Sequence, residues 1–146
     1  MRRVFVDTNV FLYALGAEHR YRDPCRAIVE AIAARRVAAE TSVEVVQEFL
    51  HVRGRRGRDP AEALARAEEI VSWCAPVHAF EPGDLTRAFE LLRRFSTLRP
   101  RDAVHAATAL NRGIEAILTA DRDLGSVPAL ERVDPGDRAA VAALGA

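Results

Sequence analysis

The chain is 146 residues long and 49% hydrophobic, with 21 acidic side chains set against 21 basic ones, so its length and apolar content suit one domain, residues 1–146, around one core and leave little chain for a second. All the basic side chains are arginine. The absence of lysine reads most simply as a compositional bias, yet it excludes Schiff-base catalysis, a Walker-type phosphate loop and lysine-assisted aspartyl phosphorylation, each of which needs that amine.

In chain order, Val4-Phe5-Val6 is a β-prone run that follows Arg2-Arg3 directly and ends at Asp7. That start lacks the form of a signal peptide, and no apolar run approaches the roughly 20 residues that span a bilayer, so a cytoplasmic protein without membrane contact is expected. Asn9 to Leu15 reads as a short helix and Gly16 to Arg22 as a polar connection. Asp23-Pro24 reads as a cap with proline at the first helical position, opening a helix to about Arg36. Val37 to Glu40 is a second strand. Ser42 caps the next helix, whose Val45, Val46, Phe49, Leu50 and Val52 form an apolar stripe at helical spacing.

Asp59-Pro60-Ala61-Glu62 opens a helix that runs to about Trp73, and Pro76 to Phe80 reads as a short strand. Glu81 to Arg94 is expected as a helix burying Leu85, Phe89, Leu92 and Phe95. Arg101 to Arg112 forms another, stopped by Gly113. Ile117-Leu118-Thr119 and Leu130 to Val133 read as strands, and the alanine-rich end from Asp137 as a terminal helix or tail. Cys25 and Cys74 stand far apart without zinc-binding spacing, which suggests buried free thiols in a reducing compartment. Strands separated by one or two helices imply an α/β fold with mostly parallel pairing, right-handed crossovers and helices on both faces of the sheet.

The acids are the informative residues. Asp7 follows the first strand, Asp121 follows the Ile117 strand by way of Thr119-Ala120, and ligands of open parallel sheets bind beyond the carboxyl ends of strands. Glu48 lies mid-helix beside the apolar stripe, with Glu44 one turn earlier as the competing candidate, and Asp102 opens its helix. Asp7 and Asp102 also have a plain reading as helix caps. Asp123 makes a pair with Asp121 that suits either a turn or a metal rim. Carboxylates crowded at one rim resist ionising unless a cation sits among them. An oxygen-only set without clustered Cys or His favours Mg²⁺, with Mn²⁺ as the alternative.

Among the four histidines, only His105 is near the acids, three residues after Asp102, where it is placed to bond that carboxylate or orient a substrate. Its plain reading is a surface histidine, and His19, His51 and His78 read as structural or exposed. Arg53, Arg55, Arg56 and Arg58, around Gly54 and Gly57, form a basic loop, and Arg99 and Arg101 flank Asp102. Both groups could offer a phosphate backbone a positive rim around an acidic pocket.

Together, Val6-Asp7-Thr8-Asn9-Val10-Phe11-Leu12-Tyr13, Thr41-Ser42 through Gln47-Glu48-Phe49, Arg101-Asp102-Ala103-Val104-His105-Ala106-Ala107 and Leu118-Thr119-Ala120-Asp121 resemble the PIN domain, and within it the VapC toxins. The resemblance implies a three-layer PIN-like fold and a metal-dependent endoribonuclease of a toxin-antitoxin pair. Asp7, Glu48, Asp102 and Asp121 would be its catalytic and metal-binding acids, Asp123 an accessory ligand, and Thr8, Asn9, Ser42 and His105 supporting residues. It also implies a VapB-like antitoxin, a homodimer, and operator DNA bound only through the antitoxin. The expected chemistry is Mg²⁺-assisted hydrolysis of RNA that leaves a 5′ phosphate. The alternatives are a PIN-like partner-binding module without catalysis, and a small Mg²⁺-dependent phosphatase. The phosphatase is disfavoured by Asn9, which stands where an Asp-x-Asp motif would place its second acid.

Overall fold

The computed structural model describes residues 1–55 and 59–146; Arg56 and Arg58 of the basic loop lie outside the described residues. Five strands, β1 (Arg3–Val6), β2 (Ala38–Ser42), β3 (Val77–His78), β4 (Ala116–Leu118) and β5 (Glu131–Val133), form one sheet in the order β3-β2-β1-β4-β5. Every pairing is parallel. Between and after them run α1 (Thr8–Leu15), α2 (Arg22–Ala33), α3 (Val43–Arg53), α4 (Pro60–Trp73), α5 (Pro82–Arg94), α6 (Pro100–Asn111) and α7 (Arg138–Leu144), with a short 3₁₀ turn at Arg122–Ser126. Val4, Phe5 and Val6 point alternately to opposite faces and all are 0% exposed. Both faces of the central strand are therefore covered, as parallel sheets require.

Local chemistry sets most of the boundaries. Asp7, Ser42, Asp59 and Asp137 cap α1, α3, α4 and α7, each accepting a backbone N–H in the first turn, and Pro60, Pro82 and Pro100 fill first-turn positions where no N–H is needed. Gly113, at φ 70°, ends α6 in the left-handed region that a side chain disfavours. Cys25 and Cys74 are buried free thiols.

Two sequence expectations are corrected. Helix α2 begins at Arg22 behind Tyr21, with Asp23 already inside the first turn and no side-chain cap. In α5 the buried stripe is Asp84, Ala88 and Leu91, whereas Leu85 and Phe89 are 40% and 47% exposed. The helix is rotated because Asp84 is drawn inward. Arg112, just past α6, donates to both Asp84 oxygens and to the Ala79 carbonyl, and Asn111 adds a bond at 2.8 Å. A fully paired buried carboxylate thus outweighs two apolar side chains in choosing the helix face. A similar cluster ties β1 to β2 and β3, where Arg3 and His78 both bond Glu40, itself only 4% exposed.

Breaking the Asp84 cluster with Asp84→Ala strands the Arg112 guanidinium and is expected to cost about 3 kcal/mol, whereas Phe89→Ala should cost less than about 1 kcal/mol; urea unfolding followed by circular dichroism measures both. Burial alone would raise the Asp84 and Glu40 carboxyls, but their arginine partners hold both below the usual range. Their contribution is therefore complete above the unfolded-state values near pH 4 and is lost as pH falls through the depressed folded values. The urea midpoint should drop between pH 5 and pH 3, and by less in Asp84→Ala.

Candidate functional site

Strand order reverses between β1 and β4, the two strands that leave the sheet centre in opposite directions, and the crevice beyond their carboxyl ends is where open α/β sheets place ligands. The register Val6↔Leu118 brings the next residues, Asp7 and Thr119, side by side. Thr119 Oγ1 donates to Asp7 Oδ2 at 2.8 Å, and accepts from Asn9 Nδ2 at 2.9 Å and from the Asp121 backbone N–H at 3.0 Å. Asn9 Nδ2 also donates to Asp7 Oδ2 at 3.1 Å, while its Oδ1 accepts from Ala120 N–H at 3.1 Å. Asp7 Oδ1 accepts from Thr8 N–H at 2.7 Å. The helix-cap reading of Asp7 thus holds through one oxygen, which caps α1, while the other is locked to Thr119 just beyond β4.

Two helices converge on Asp7. Helix α3 brings Glu48, and α6 brings Asp102 and His105. One donor atom from each of Asp7, Glu48 and His105 lies within 4.8 Å of the other two. His105 Nε2 sits 3.8 Å from Asp7 Oδ1 and 3.6 Å from Glu48 Oε1, inside ion-pair range but beyond a hydrogen bond. Asp102, at the third position of α6, accepts from the Arg99 backbone N–H and faces Asp121 across the mouth of the crevice. A cavity of about 470 Å³ is lined by Asp7, Thr8, Glu48, Arg99, Asp102 and His105.

The electrostatics are those of crowded acids. Burial pushes the Asp7 carboxyl up, against the opposing effects of His105 and the Thr119 hydroxyl. Burial and then the Asp121 charge raise Asp102 to about 6. Glu48 goes the other way, to about 2, because the facing His105 imidazole and, against burial, the Arg101 guanidinium favour its charged form. For His105, burial alone would lower the pKa, but Glu48 and Asp7 raise it.

Several expectations change. His105 is not on the surface: its side chain is 4% exposed, and it packs against Phe5 with ring centroids 6.1 Å apart. The cluster is therefore not oxygen-only. Ser42 is buried and spends its hydroxyl capping α3 on Val45 N–H. Asp123 touches the site through its backbone N–H to Asp121 Oδ1. Of Glu44 and Glu48, the structure gathers Glu48 with Asp7. Arg53 pairs with Glu62 at 3.3 Å, Arg55 is exposed, and Arg101, 66% exposed, pairs with Glu48. Thr119 is the residue the sequence reading underused; its signal was its place one step past β4, opposite the residue that follows β1.

The donor set suits a divalent cation. Three carboxylates and an imidazole face one crevice, and Thr8 Oγ1 and both His105 ring nitrogens are buried without hydrogen-bond partners, an expensive state unless something further binds there.

The model of the PIN domain family matches residues 4–130. The chain is 39% identical over 145 residues, 97% of its own length and 98% of the relative's, to ribonuclease VapC7 of Mycobacterium tuberculosis, and 35% identical over 123 residues, 84% of its length, to ribonuclease VapC23 of the same species. Among solved structures, it resembles the FitAcB structure from Neisseria gonorrhoeae with a TM-score of 0.72 at 17% identity, covering 92% of this chain and 99% of the other. It resembles VapBC2 from Rickettsia felis, bound to a promoter DNA fragment, with a TM-score of 0.70 at 14% identity, covering 90% and 98%.

Thr119→Val keeps the side-chain shape but removes the hydroxyl from Asp7, Asn9 and the Asp121 N–H. It is expected to cost about 1–3 kcal/mol, read as a shift in the urea midpoint, whereas Ser126→Ala, a change on the exposed 3₁₀ turn, should shift it little.

Proposed function

This chain belongs to the PIN domain family and, within it, to the VapC ribonucleases, and on that footing we propose that it is a Mg²⁺- or Mn²⁺-dependent endoribonuclease, the toxin of a toxin-antitoxin pair. The observation that carries the reading is the gathering of Asp7, Glu48 and His105 within 4.8 Å at the switch point of a parallel sheet. Asp102 lines the same crevice and feels the charge of Asp121, to which Asp123 donates its backbone N–H.

A cation bound there would supply Lewis-acid polarisation of a phosphate and lower the pKa of an attacking water. The protein does the rest by position. Asp7 is immobilised through Thr8, Asn9 and Thr119, so its oxygens need not reorganise when substrate enters. Asp102, which lines the crevice beside Asp7, accepts a proton from water as the oxygen–phosphorus bond forms. The bond to the 3′ oxygen breaks as that oxygen takes a proton from water, and the products carry a 5′ phosphate and a 3′ hydroxyl. Arg99 and Arg101, both exposed at the crevice, offer the flanking phosphates a positive rim.

A VapB-like antitoxin completes the pair, with operator DNA bound through it. A homodimer is part of the same reading, supported by Leu85 and Phe89, which stand half-exposed one helical turn apart on α5. The expected compartment is the cytoplasm; among the described residues no helix is long and apolar enough to cross a membrane.

Purified protein incubated with structured RNA and Mg²⁺ or Mn²⁺ is expected to cleave it, to stop on chelation, and to lose at least about a hundredfold in Asp7→Asn, the scale of a single charge-stabilising group. Mass spectrometry of the products should find 5′ phosphates. Cleavage that survives Asp7→Asn would refute the assignment. Inactivity of the wild type over a broad RNA panel would favour a partner-binding module, and release of phosphate from small esters would favour a phosphatase.

A further inference from the structure

We infer that His105 is a direct ligand of the cation, so that the site is a mixed oxygen-nitrogen centre selecting a first-row transition dication over Mg²⁺. This rests on the metal-dependent reading above and goes beyond it in naming the nitrogen ligand and the ion it selects.

Three features of the ring carry the inference. First, its Nε2 is aimed between two carboxylates yet bonds neither, at 3.8 Å from Asp7 Oδ1 and 3.6 Å from Glu48 Oε1. An imidazolium serving only as an internal counter-ion would close to a charge-assisted hydrogen bond of about 2.7–2.9 Å. Two donors each about 2.1 Å from a shared ion can stand up to about 4.2 Å apart, and both separations fall inside that limit. Second, the side chain is 4% exposed and both ring nitrogens lack any partner, so an uncompensated polar ring faces the centre of the cluster. Third, each carboxylate has an oxygen with a lone pair left for an ion. Arg101 holds Glu48 through Oε2, which leaves Oε1 toward His105, while Thr119 and Asn9 hold Asp7 through Oδ2 and Oδ1 accepts only the Thr8 N–H, which leaves its second lone pair.

Ligand chemistry then sets the selectivity. Mg²⁺ prefers oxygen donors and keeps its waters, whereas imidazole favours the later, softer dications along the first transition series. Replacing one oxygen donor by His105 thus weakens the case for Mg²⁺ and strengthens that for Mn²⁺ or a later ion. A metal-bound histidine normally anchors its other ring N–H on an acceptor; here Nδ1 has none, so packing on Phe5 does the orienting.

The test uses the full chain and Mn²⁺ alone. Electron spin-echo envelope modulation on the Mn²⁺ complex should show coupling to an imidazole ¹⁴N, replaced by the ¹⁵N pattern when the protein carries ¹⁵N-histidine. The coupling should vanish in His105→Gln and persist in His51→Gln, which alters the neighbouring groove. Calorimetry should show wild-type preference for Mn²⁺ over Mg²⁺ falling by about tenfold or more in His105→Gln, the scale on which ligand-shell changes act. The labelled wild type answers the question even if His105→Gln fails to fold. Mn²⁺ binding without nitrogen coupling would overturn the ligand assignment while leaving the acidic site standing, and absence of any Mn²⁺ or Mg²⁺ binding would overturn both.

Discussion

Everything at the crevice depends on one buried carboxylate being fully satisfied. Asp7 is 4% exposed, and a carboxylate removed from water costs several kcal/mol unless its lone pairs find donors. The chain supplies them from two strands at once: Thr8 N–H and Asn9 Nδ2 from the turn after β1, and the Thr119 hydroxyl from the residue after β4. The same hydroxyl accepts from Asp121 N–H. The bonds that make Asp7 tolerable therefore also fix where Asp121 leaves the sheet. Function and stability are written into one set of hydrogen bonds, and the parallel register that creates the crevice is pinned at the point where the acids gather.

The rest of the acidic set is left less comfortable. Elsewhere in the fold a buried carboxylate receives a guanidinium, as Glu40 does from Arg3 and Asp84 from Arg112, and both end below their usual pKa range. At the crevice burial raises Asp7 and Asp102 instead, the Asp121 charge adding to the effect on Asp102, and no guanidinium among the described residues is there to reverse it. The contrast is informative. A chain with 21 arginines thus pairs Glu40 and Asp84 with guanidinium groups, whereas among the described residues the crevice acids receive only the exposed Arg101 on Glu48, whose pairing in water is worth little. Uneven compensation of this kind belongs to a site that completes its charge balance with something from outside.

Much of this was legible in the sequence because it is local. Asp7, Ser42 and Asp59 announce helices through cap chemistry, the apolar runs of β1 and β4 mark strands buried on both faces, and the alternation of strands and helices dictates parallel pairing. What could not be read was rotation about helix axes, which tertiary partners decide. Leu85 and Phe89 match a buried stripe as well as Ala88 and Leu91 do, and the bonds that Asn111 and Arg112, at the end of α6, make to Asp84 turn α5 one way. His105 has the same difficulty. Three residues past Asp102 it can face water or Phe5, and the small side chains Ala103, Ala106 and Ala107, all 0% exposed, mark a close-packed face without saying how far it extends. The expectation of an acidic cluster without a histidine failed on that single rotation.

The arrangement also separates two tasks by depth. Asp7 and His105 form a floor nearly closed to water, whereas Arg99 and Arg101 stand exposed at the rim. Rim charges act over about a Debye length and are screened by salt, so they govern encounter with a polyanion more than its final fit. Floor charges act in a drier medium where each is worth more and where a misplaced one costs more. Arg101 spans the two layers, since its guanidinium reaches from an exposed stem to Glu48. It holds Glu48 with one oxygen committed and the other open to the cluster, while the facing His105 does most to keep that carboxyl ionised. A neutral overall charge is compatible with a nucleic-acid substrate on these terms, because the distribution over a few ångströms, and not the sum over the chain, decides what the crevice attracts.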